Sequence, residues 1–273
     1  MPEKIAIITG CSSGIGRSTA LLLAQNGFKV YATMRDTSKN TLEHSNIIIQ
    51  KINVNSEETI KQAISEIIQN ENRIDVLVNN AGYGFVGSIE DTSIQEMKEQ
   101  FETDFFGPVN MIKNVIPIMK KQNSGVIINV SSIAGQMGFA FSSAYVSSKF
   151  ALEGLTDSLR QEFSETKIKI SSIEPGVVKT SFHQNMKRAQ QSFTSEYKKF
   201  TELMIKNAEK LFQLGIESDE VARKILEVIL IEEPEPRYTV GKDAALFMED
   251  KKRMSGKEFE KSIKEFFKQI MES

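Results

Sequence analysis

The 273-residue sequence has little of what several classes of protein depend on. Its single cysteine, Cys11, excludes an internal disulfide. Its two histidines, His44 and His183, lie far apart and without cysteines at zinc-ligand spacing, so we expect no metal site. No apolar run approaches the roughly 20 residues that span a bilayer, and the N-terminus lacks the pattern of a cleavable signal. We therefore expect a reduced, cytoplasmic, metal-free protein with no membrane span.

An excess of either charge is also missing. The chain has 34 Lys and Arg against 36 Asp and Glu, spread along its length, for a net charge of -2. No basic field exists to attract nucleic acid, so a nucleic-acid partner is not expected. The length and the 40% apolar content suffice for one large core, and no repeat or low-complexity linker divides the chain. We expect a single domain over residues 1-273.

Short apolar runs alternate along the chain with longer stretches of helical spacing, such as residues 56-69 and 144-163. Six runs predict strands: residues 5-8, 28-32, 47-49, 76-78, 126-130 and 168-173. Continuous apolar strands separated by helices indicate a parallel sheet covered on both faces. The predicted fold class is α/β, a Rossmann-type doubly wound parallel sheet whose ligands bind at the carboxyl ends of the strands.

Two segments depart from this alternation. Residues 182-215 become polar and helical directly after a strand end, where a substrate-binding lid would lie. Residues 251-273 alternate Lys and Glu with apolar side chains at helical spacing, and so predict a C-terminal helical extension packed on the domain by one face. The apolar residues of that extension are Phe259, Ile263, Phe266, Phe267 and Ile270.

A glycine-rich turn follows the first predicted strand and opens a helix. Glycines there let the backbone approach a pyrophosphate, which free amides and the helix N-terminus stabilise. The residues expected to bind a dinucleotide are Gly10, Ser12, Ser13, Gly14, Ile15 and Gly16. The alternative is a plain tight turn, but its place between strand and helix favours dinucleotide binding. Cys11, inside the turn, is interpreted as a small packing residue.

The end of the second strand bears on the choice of cofactor. NAD-specific proteins of this fold place an acidic residue there for the ribose hydroxyls. This chain has Arg35 at that point, followed by Asp36. Because a guanidinium can hold a 2'-phosphate with two hydrogen bonds, NADP(H) is favoured over NAD(H). The alternative is that Arg35 is a solvated loop charge paired with Asp36.

Three polar residues form a candidate catalytic group. Tyr145 and Lys149 are spaced i, i+4 at the start of a predicted helix and therefore share a face. A phenol is a poor base at neutral pH, but a neighbouring ammonium and a positive nicotinamide ring are expected to lower its pKa. Ser132 follows the fifth predicted strand, where its hydroxyl would bind the substrate oxygen. A Tyr-x-x-x-Lys pair alone is commonplace.

Together these residues resemble the short-chain dehydrogenase/reductase family over nearly the whole chain. The matching elements are Thr9-Gly10-x-x-x-Gly14-x-Gly16, Asn79-Asn80-Ala81-Gly82, Ser132, Tyr145-x-x-x-Lys149 and Pro175-Gly176-Val177-Val178-Lys179-Thr180. Five elements in the right order and spacing are highly specific. The resemblance implies hydride transfer between a nicotinamide and a carbonyl or alcohol, with Tyr145 as the acid or base and Lys149 binding the ribose.

The resemblance also assigns the remaining cofactor contacts. It implies that Ser12 and Arg35 hold the 2'-phosphate, and that Asn53 and Val54 border the adenine. It implies that Asn80, Ala81 and Gly82 border the adenine ribose. The nicotinamide end would be contacted by Pro175, Gly176, Val178 and Thr180.

Residues 141-154, 31-36 and 237-241 are similar to the hydroxysteroid and retinol dehydrogenase branch of the family. That branch handles bulky apolar alcohols and ketones, so the expected partner is a small apolar carbonyl or alcohol substrate. Phe139, Phe141, Phe182 and Met186 are expected near its pocket. The family also implies a homodimer or homotetramer, which would use the helical faces within residues 105-121 and 144-163.

The sequence departs from the family pattern at two positions. Asn53 replaces the usual acidic residue beside the adenine and can still accept a hydrogen bond through its carbonyl oxygen. Asp104 replaces the usual Asn in the proton-relay position. We expect Asp104 to raise the pKa of Tyr145 by offsetting the field of Lys149; the alternative is a helix-start cap or a protonated carboxyl.

Two other functions compete with the oxidoreductase. An epimerase or dehydratase that keeps its nucleotide bound would have a different glycine spacing and a longer C-terminal domain. A non-catalytic NADP-binding sensor or scaffold would be expected to lose Tyr145 or Lys149, and both are present.

Overall fold

The central element of the protein is a seven-stranded parallel sheet. The computed structural model describes residues 3-272, with the side chains of residues 3-266 and 268. The sheet contains β1 (Lys4–Ile8), β2 (Phe28–Met34), β3 (Ile47–Lys51), β4 (Val76–Asn79), β6 (Gly125–Val130), β7 (Ile168–Pro175) and β11 (Arg237–Val240), in the order β11-β7-β6-β4-β1-β2-β3. The predicted fold class and all six predicted strands are confirmed.

Helices and shorter strands connect the strands of this sheet. The short strands are β5 (Phe85–Val86), β8 (Val178–Lys179), β9 (Lys187–Arg188) and β10 (Ile216–Glu217). The helices are α1 (Gly14–Gln25), α2 (Glu57–Glu71), α3 (Ile94–Phe101), α4 (Gly107–Gln122), α5 (Ser143–Glu162), α6 (Lys198–Leu214), α7 (Ser218–Leu230), α8 (Lys242–Arg253) and α9 (Gly256–Glu272). A π-helical turn, Glu102–Phe106, joins α3 directly to α4.

Alternation along the strands divides the core between the two faces of the sheet. On β1, Ala6 and Ile8 belong to the apolar cluster that α1 and α7 cover, whereas Ile5 and Ile7 belong to the cluster that α2 and α4 cover. Successive strand side chains point to opposite faces, so a strand that is apolar throughout fills both clusters. Both faces are buried, and the binding crevice is left at the carboxyl ends of the strands.

The strand order reverses beside β1, which pairs with β2 on one side and β4 on the other. Loops that leave β1 and β4 consequently diverge toward opposite faces. Ligands of doubly wound sheets bind in the crevice at such a switch point. The glycine-rich turn follows β1 and the Asn-Asn-Ala-Gly segment follows β4, so both flank this crevice.

The segment 182-215 is helical only in its second half, which corrects the expectation from the sequence. After turns at residues 181-185, β9 pairs with β5, and a 3-10 turn at Gln190–Phe193 precedes α6. The partner strand lies about a hundred residues earlier in the chain, and periodicity within the segment carries no information about that pairing.

The C-terminal region is helical as expected, but its boundary differs. Helix α8 runs through residue 251 to Arg253, and a separate helix, α9, begins at Gly256. Phe259 and Ile263 of α9 pack on Ile133, Met137 and Ala244. The extension is therefore packed on the domain by an apolar face. The side chains of Phe267 and Ile270 lie outside the described residues.

Candidate active site

The backbone of the glycine-rich turn packs closely against the segment after β4. Gly10 and Gly14 have φ angles of 73° and 57°, a region that side chains disfavour. A Cβ on Gly16 would lie 2.5 Å from the carbonyl oxygen of Gly10 and would overlap the Asn80 side chain. Glycine at these positions is required by the conformation of the turn and by its contact with the segment after β4.

The N-terminus of α1 suits a pyrophosphate. Ser13 is the N-cap, but among the described residues its side chain accepts no capping hydrogen bond from the helix. Its hydroxyl accepts instead from Ser181 Oγ at 2.8 Å, beyond β8. The first-turn amides of α1 therefore remain available to an anion. Ser12 and Ile15 are half-buried on the same turn.

Asn80 locks the β1 and β4 loops together. Its side-chain amide donates to the carbonyl oxygens of Thr9 at 2.8 Å and Gly10 at 3.2 Å. In return, Thr9 Oγ1 accepts from the backbone amides of Asn80 and Ala81. The structure thus brings Asn80, Ala81 and the exposed Gly82 beside the glycine-rich turn.

The segment after β7 reaches the same turn. A Cβ on Gly14 would lie 3.0 Å from Thr180 Cγ2. Asp243 accepts a hydrogen bond from the Val177 amide at 2.8 Å, and its carboxylate occupies the space that a Cβ on Gly176 would need. The segment that contains Pro175, Gly176, Val178 and Thr180 thus brings Thr180 beside the glycine-rich turn, while Asp243 holds its first part.

Arg35 is exposed just beyond β2 and forms no ion pair with the residues that the structure describes. Asp36 accepts from the amide and hydroxyl of Ser38 and so caps the following turn. The alternative, in which Arg35 pairs with Asp36, is therefore not seen among the described residues.

Asn53 and Val54 follow β3. The Oδ1 atom of Asn53 accepts a hydrogen bond from the Asn55 amide at 3.2 Å and keeps a second lone pair for a ligand. Val54 packs on Gly107.

Ser132, Tyr145, Lys149 and Asp104 come together at the carboxyl ends of β4 and β6. The ammonium of Lys149 lies 5.7 Å from the ring centroid of Tyr145 and 3.3 Å from Asp104 Oδ2. It also donates to the Val130 carbonyl oxygen at 3.3 Å. The hydroxyl of Ser132 faces the phenol of Tyr145 and lowers the pKa of that phenol.

The protein environment opposes ionisation of Tyr145. Desolvation raises the pKa of Tyr145 and outweighs the lowering by Lys149 and by the Ser132 hydroxyl, while Asp104 raises it further. The expected lowering of the Tyr145 pKa by Lys149 has the right sign, but burial, which was not visible in the sequence, outweighs it in the protein without a cofactor. The expected effect of Asp104 has the right sign.

Asp104 is fully buried inside the π-helical turn. Its Oδ1 accepts from the Tyr83 amide at 3.2 Å, and a Cβ on Gly82 would lie 3.0 Å from Oδ2. Asp104 lies within a continuous helical stretch, so the helix-start alternative is wrong. Desolvation raises the pKa of Asp104. Although burial lowers the pKa of Lys149, the charge of Asp104 and the neighbouring Tyr145 raise it overall.

Aromatic rings extend from Tyr145 toward α6. Phe182 lies edge-on to Tyr145 with ring centroids 5.9 Å apart, and Phe212 lies 6.1 Å from Phe182. Met186 and Phe182 both pack against Gly84. Of the other expected pocket residues, Phe139 packs into the cluster with Met137 and α9. Phe141 stacks on Phe200 of α6, within residues 182-215.

Cys11 is fully buried, and burial raises the pKa of its thiol to about 12. Its interpretation as a packing residue fits this environment, because the reactive thiolate is disfavoured. Among the side chains that the structure describes, no cluster of three or more His, Cys, Asp or Glu could hold a metal ion. No helix within residues 3-272, the part of the chain that the structure describes, is both long and apolar enough to cross a membrane.

Sequence reasoning missed a buried polar cluster behind the site, formed by Gln136, Glu153, Glu174 and Arg237. Glu174 places a carboxyl group on a buried strand, one residue before Pro175. A carboxylate at such a position needs a partner, and that signal was present in the sequence.

Comparison with known proteins gives the family. The model of the family described as short chain dehydrogenase matches residues 4-191. This chain belongs to the short-chain dehydrogenase family. It is 38% identical to human retinol dehydrogenase 8 over 247 residues, 83% of this chain and 78% of that protein. It is 40% identical to 3-ketodihydrosphingosine reductase of Bacteroides thetaiotaomicron over 185 residues, 68% of each.

Solved structures agree with this assignment. A short-chain dehydrogenase from Streptomyces avermitilis has a TM-score of 0.81 at 28% identity, with 95% of this chain and 97% of that one covered. ElxO with NADP bound has a TM-score of 0.70 at 28% identity, over 87% and 97% of the two chains. This short-chain dehydrogenase is an oxidoreductase that acts on CH-OH groups with a nicotinamide cofactor, and its likeness to the retinol dehydrogenase branch is confirmed.

Proposed function

We propose that this short-chain dehydrogenase transfers a hydride between NADP(H) and a bulky apolar ketone, aldehyde or alcohol, with Tyr145 exchanging the substrate proton. The observation that carries the proposal is the convergence of Ser132, Tyr145 and Lys149 at one end of the aromatic row from Tyr145 to Phe212. Such a site combines a few placed polar groups with apolar walls.

The cofactor would lie across the crevice at the switch point. Gly10, Ser12, Ser13, Gly14, Ile15 and Gly16 would surround the pyrophosphate, with the free first-turn amides of α1 as donors. Arg35 would hold the 2'-phosphate, since its guanidinium is exposed and without an ion-pair partner among the described residues. When bound, the nicotinamide ring donates or accepts the hydride.

The side chains of the site would divide the remaining work. Ser132 would donate to the substrate oxygen and orient it. In reduction, the neutral Tyr145 would donate its proton to that oxygen; in oxidation, the tyrosinate would accept the proton of the alcohol. Lys149 would bind the ribose and favour the tyrosinate electrostatically. Asp104 would hold Lys149 and oppose that ionisation.

Residues 182-215 would form the substrate lid. The segment is anchored at one end by Thr180 and Ser181 against the glycine-rich turn. It carries Phe182, which contacts Tyr145, and Phe212, which contacts Phe182.

We also propose a homodimer or homotetramer through α4 and α5. Phe106, just before α4, and Phe150 on α5 are 44% and 46% exposed, which is unusual for such large apolar side chains. Light scattering of the purified protein tests the assembly.

The function is tested by the oxidation of NADPH and NADH with a panel of carbonyl compounds. The panel contains apolar ketones and aldehydes of rising size, with a short ketone and an aldose as polar or small controls. We expect kcat/KM to rise with apolar size and NADPH to be preferred. Activity confined to small, charged or sugar-like compounds would contradict the substrate class, and equal use of both cofactors would contradict the cofactor assignment.

A further inference from the structure

A buried carboxyl group, Glu174, lies directly behind the candidate active site. It is 1% exposed and lies in β7, one residue before Pro175, which ends the strand. Three donors surround it. Gln136 Nε2 donates to Oε1 at 2.8 Å, Thr239 Oγ1 donates to Oε2 at 3.4 Å, and the guanidinium of Arg237 lies 3.5 Å from Oε1.

A second buried carboxylate shares the arginine. Glu153 is 3% exposed and lies one turn beyond Lys149 on α5. Its Oε2 is 2.8 Å from Arg237 Nε, and its Oε1 accepts from Ser172 Oγ at 2.5 Å. The outer end of the Arg237 guanidinium pairs with Asp157 at 2.5 Å. In this cluster the Arg237 cation is therefore shared by two buried carboxyl groups and one exposed carboxyl group.

This cluster contacts three parts of the candidate site. Gln136 ends the short helical turn that starts at Ser132, whose hydroxyl caps the turn by accepting from the Ala134 amide at 3.1 Å. Glu153 lies on the helix of Lys149, and its charge contributes to raising the pKa of Lys149. Glu174 itself begins the Glu-Pro-Gly sequence that leads to Thr180.

The ionisation state of Glu174 matters for this arrangement. Burial, followed by the charge of Glu153, raises the pKa of Glu174 to about 7. The charged groups that face it are Glu153 and Arg237, with Asp157 at the far end of the guanidinium and Lys149 one helical turn from Glu153. Because Gln136, Thr239 and Arg237 all present donors, the ionised carboxylate satisfies them, and the protonated acid loses acceptor capacity.

We propose that Glu174 is a positioning residue: its carboxylate, acting through Gln136, holds the Ser132 turn within reach of Tyr145, and its protonation loosens that turn. This inference rests on the proposed function, because it assigns Ser132 to the substrate oxygen. It predicts that carbonyl reduction slows as the pH falls through neutrality. Tyr145 has a raised pKa, so it stays protonated over this range and does not itself produce an acid limb.

The test is the pH profile of kcat for NADPH-dependent reduction of an apolar ketone, measured for the wild type, Glu174→Gln and Gln136→Met. We expect the wild type to show an acid limb near neutrality. Glu174→Gln should remove the limb and lower kcat at high pH about fivefold, the value of one ordinary hydrogen bond. Gln136→Met should also remove it, since the carboxyl then titrates without contact to the Ser132 turn. The Kd for NADPH should stay within about twofold in both.

Asp157→Asn is the matched control, because it changes the exposed partner of Arg237 without reaching Gln136, and it should keep the limb. Gln136→Met leaves both buried carboxyl groups in place, so it provides the test if Glu174→Gln does not fold. An active wild type whose acid limb persists in either folded variant overturns this inference alone. A wild type that reduces no carbonyl compound overturns the proposed function and this inference with it.

Discussion

The ammonium of Lys149 lies 3.3 Å from Asp104 Oδ2, with both side chains almost fully buried. A charge at Asp104 therefore acts on Lys149 and Tyr145 through little solvent, where electrostatic interactions are strongest. Relatives with Asn at this position would lack that charge. The pair makes the ionisation of Tyr145 depend on a residue that is outside the Tyr-x-x-x-Lys motif.

Asp104→Asn should make alcohol oxidation possible at lower pH. Asp104 raises the pKa of Tyr145, so removing its charge lowers that pKa, and the tyrosinate needed for oxidation forms earlier as the pH rises. The acid limb of the oxidation kcat/KM profile should therefore move to lower pH. Asn keeps an acceptor for the Tyr83 amide, which limits structural change. An acid limb that stays in place, in a folded variant whose rate is limited by chemistry, would contradict this role.

Substitution by alanine should have different effects at two helical glycines: at one it should weaken NADPH binding, and at the other it should stabilise the fold. In α1, a Cβ on Gly16 would lie 2.5 Å from the Gly10 carbonyl oxygen, so Gly16→Ala must shift the glycine-rich turn and should weaken NADPH binding at least tenfold. In α5, a Cβ on Gly154 would meet no atom within 4 Å. Gly154→Ala should raise the free energy of unfolding by about 0.5–1 kcal/mol. NADPH titration and thermal unfolding of both variants check these expectations. Equal changes in NADPH affinity and in stability in the two variants would refute them.

The pH dependence of stability should report Glu174 directly. A carboxyl whose pKa is raised from 4.5 to about 7 on folding contributes stability that is fully present below pH 4.5 and is lost as the pH rises through 7. The free energy of unfolding of the wild type, relative to Glu174→Gln, should therefore fall by up to about 3 kcal/mol across this interval. Chemical denaturation at pH 5 and pH 8 measures the difference. A constant difference would show that the carboxyl does not titrate there.

The strands and the glycine-rich turn could be predicted because they depend on local pattern. Each strand of the parallel sheet is a short apolar run, and Gly10, Gly14 and Gly16 are spaced for one strand-turn-helix unit. The group Ser132, Tyr145 and Lys149 was also recoverable, since helical spacing and the strand end place it. These features need no knowledge of distant parts of the chain.

Features that depend on distant contacts could not be predicted. The first half of residues 182-215 was expected to be helical, but β9 pairs with β5 across the chain. The direction of the Tyr145 pKa depends on burial by several elements. The partners of Glu174 come from a loop and from β11. In each case the deciding neighbour lies tens of residues away, and its position follows only from the folded sheet.

Arg35→Ala should separate the two cofactors. Only NADPH carries a 2'-phosphate, and a charge-assisted contact to it is worth about 1.5–3 kcal/mol, or roughly ten- to a hundredfold in affinity. We expect the Kd for NADPH to rise by that factor while the Kd for NADH stays nearly unchanged. Arg223→Ala, an exposed arginine on α7, is the control and should change neither. Equal losses for both cofactors would reject the assignment of Arg35.

Whether Tyr145 exchanges the substrate proton, as we claim, is decided by the variant Tyr145→Phe. Phe keeps the edge contact with Phe182 and the packing near Lys149 but removes the hydroxyl. The decisive measurement is kcat/KM for NADPH-dependent reduction, with the Kd for NADPH determined on the same samples. We predict that turnover is abolished and that NADPH binding stays within a few-fold. A variant that kept a tenth or more of the wild-type rate, a loss of only about 1.4 kcal/mol in transition-state stabilisation, would contradict the claim.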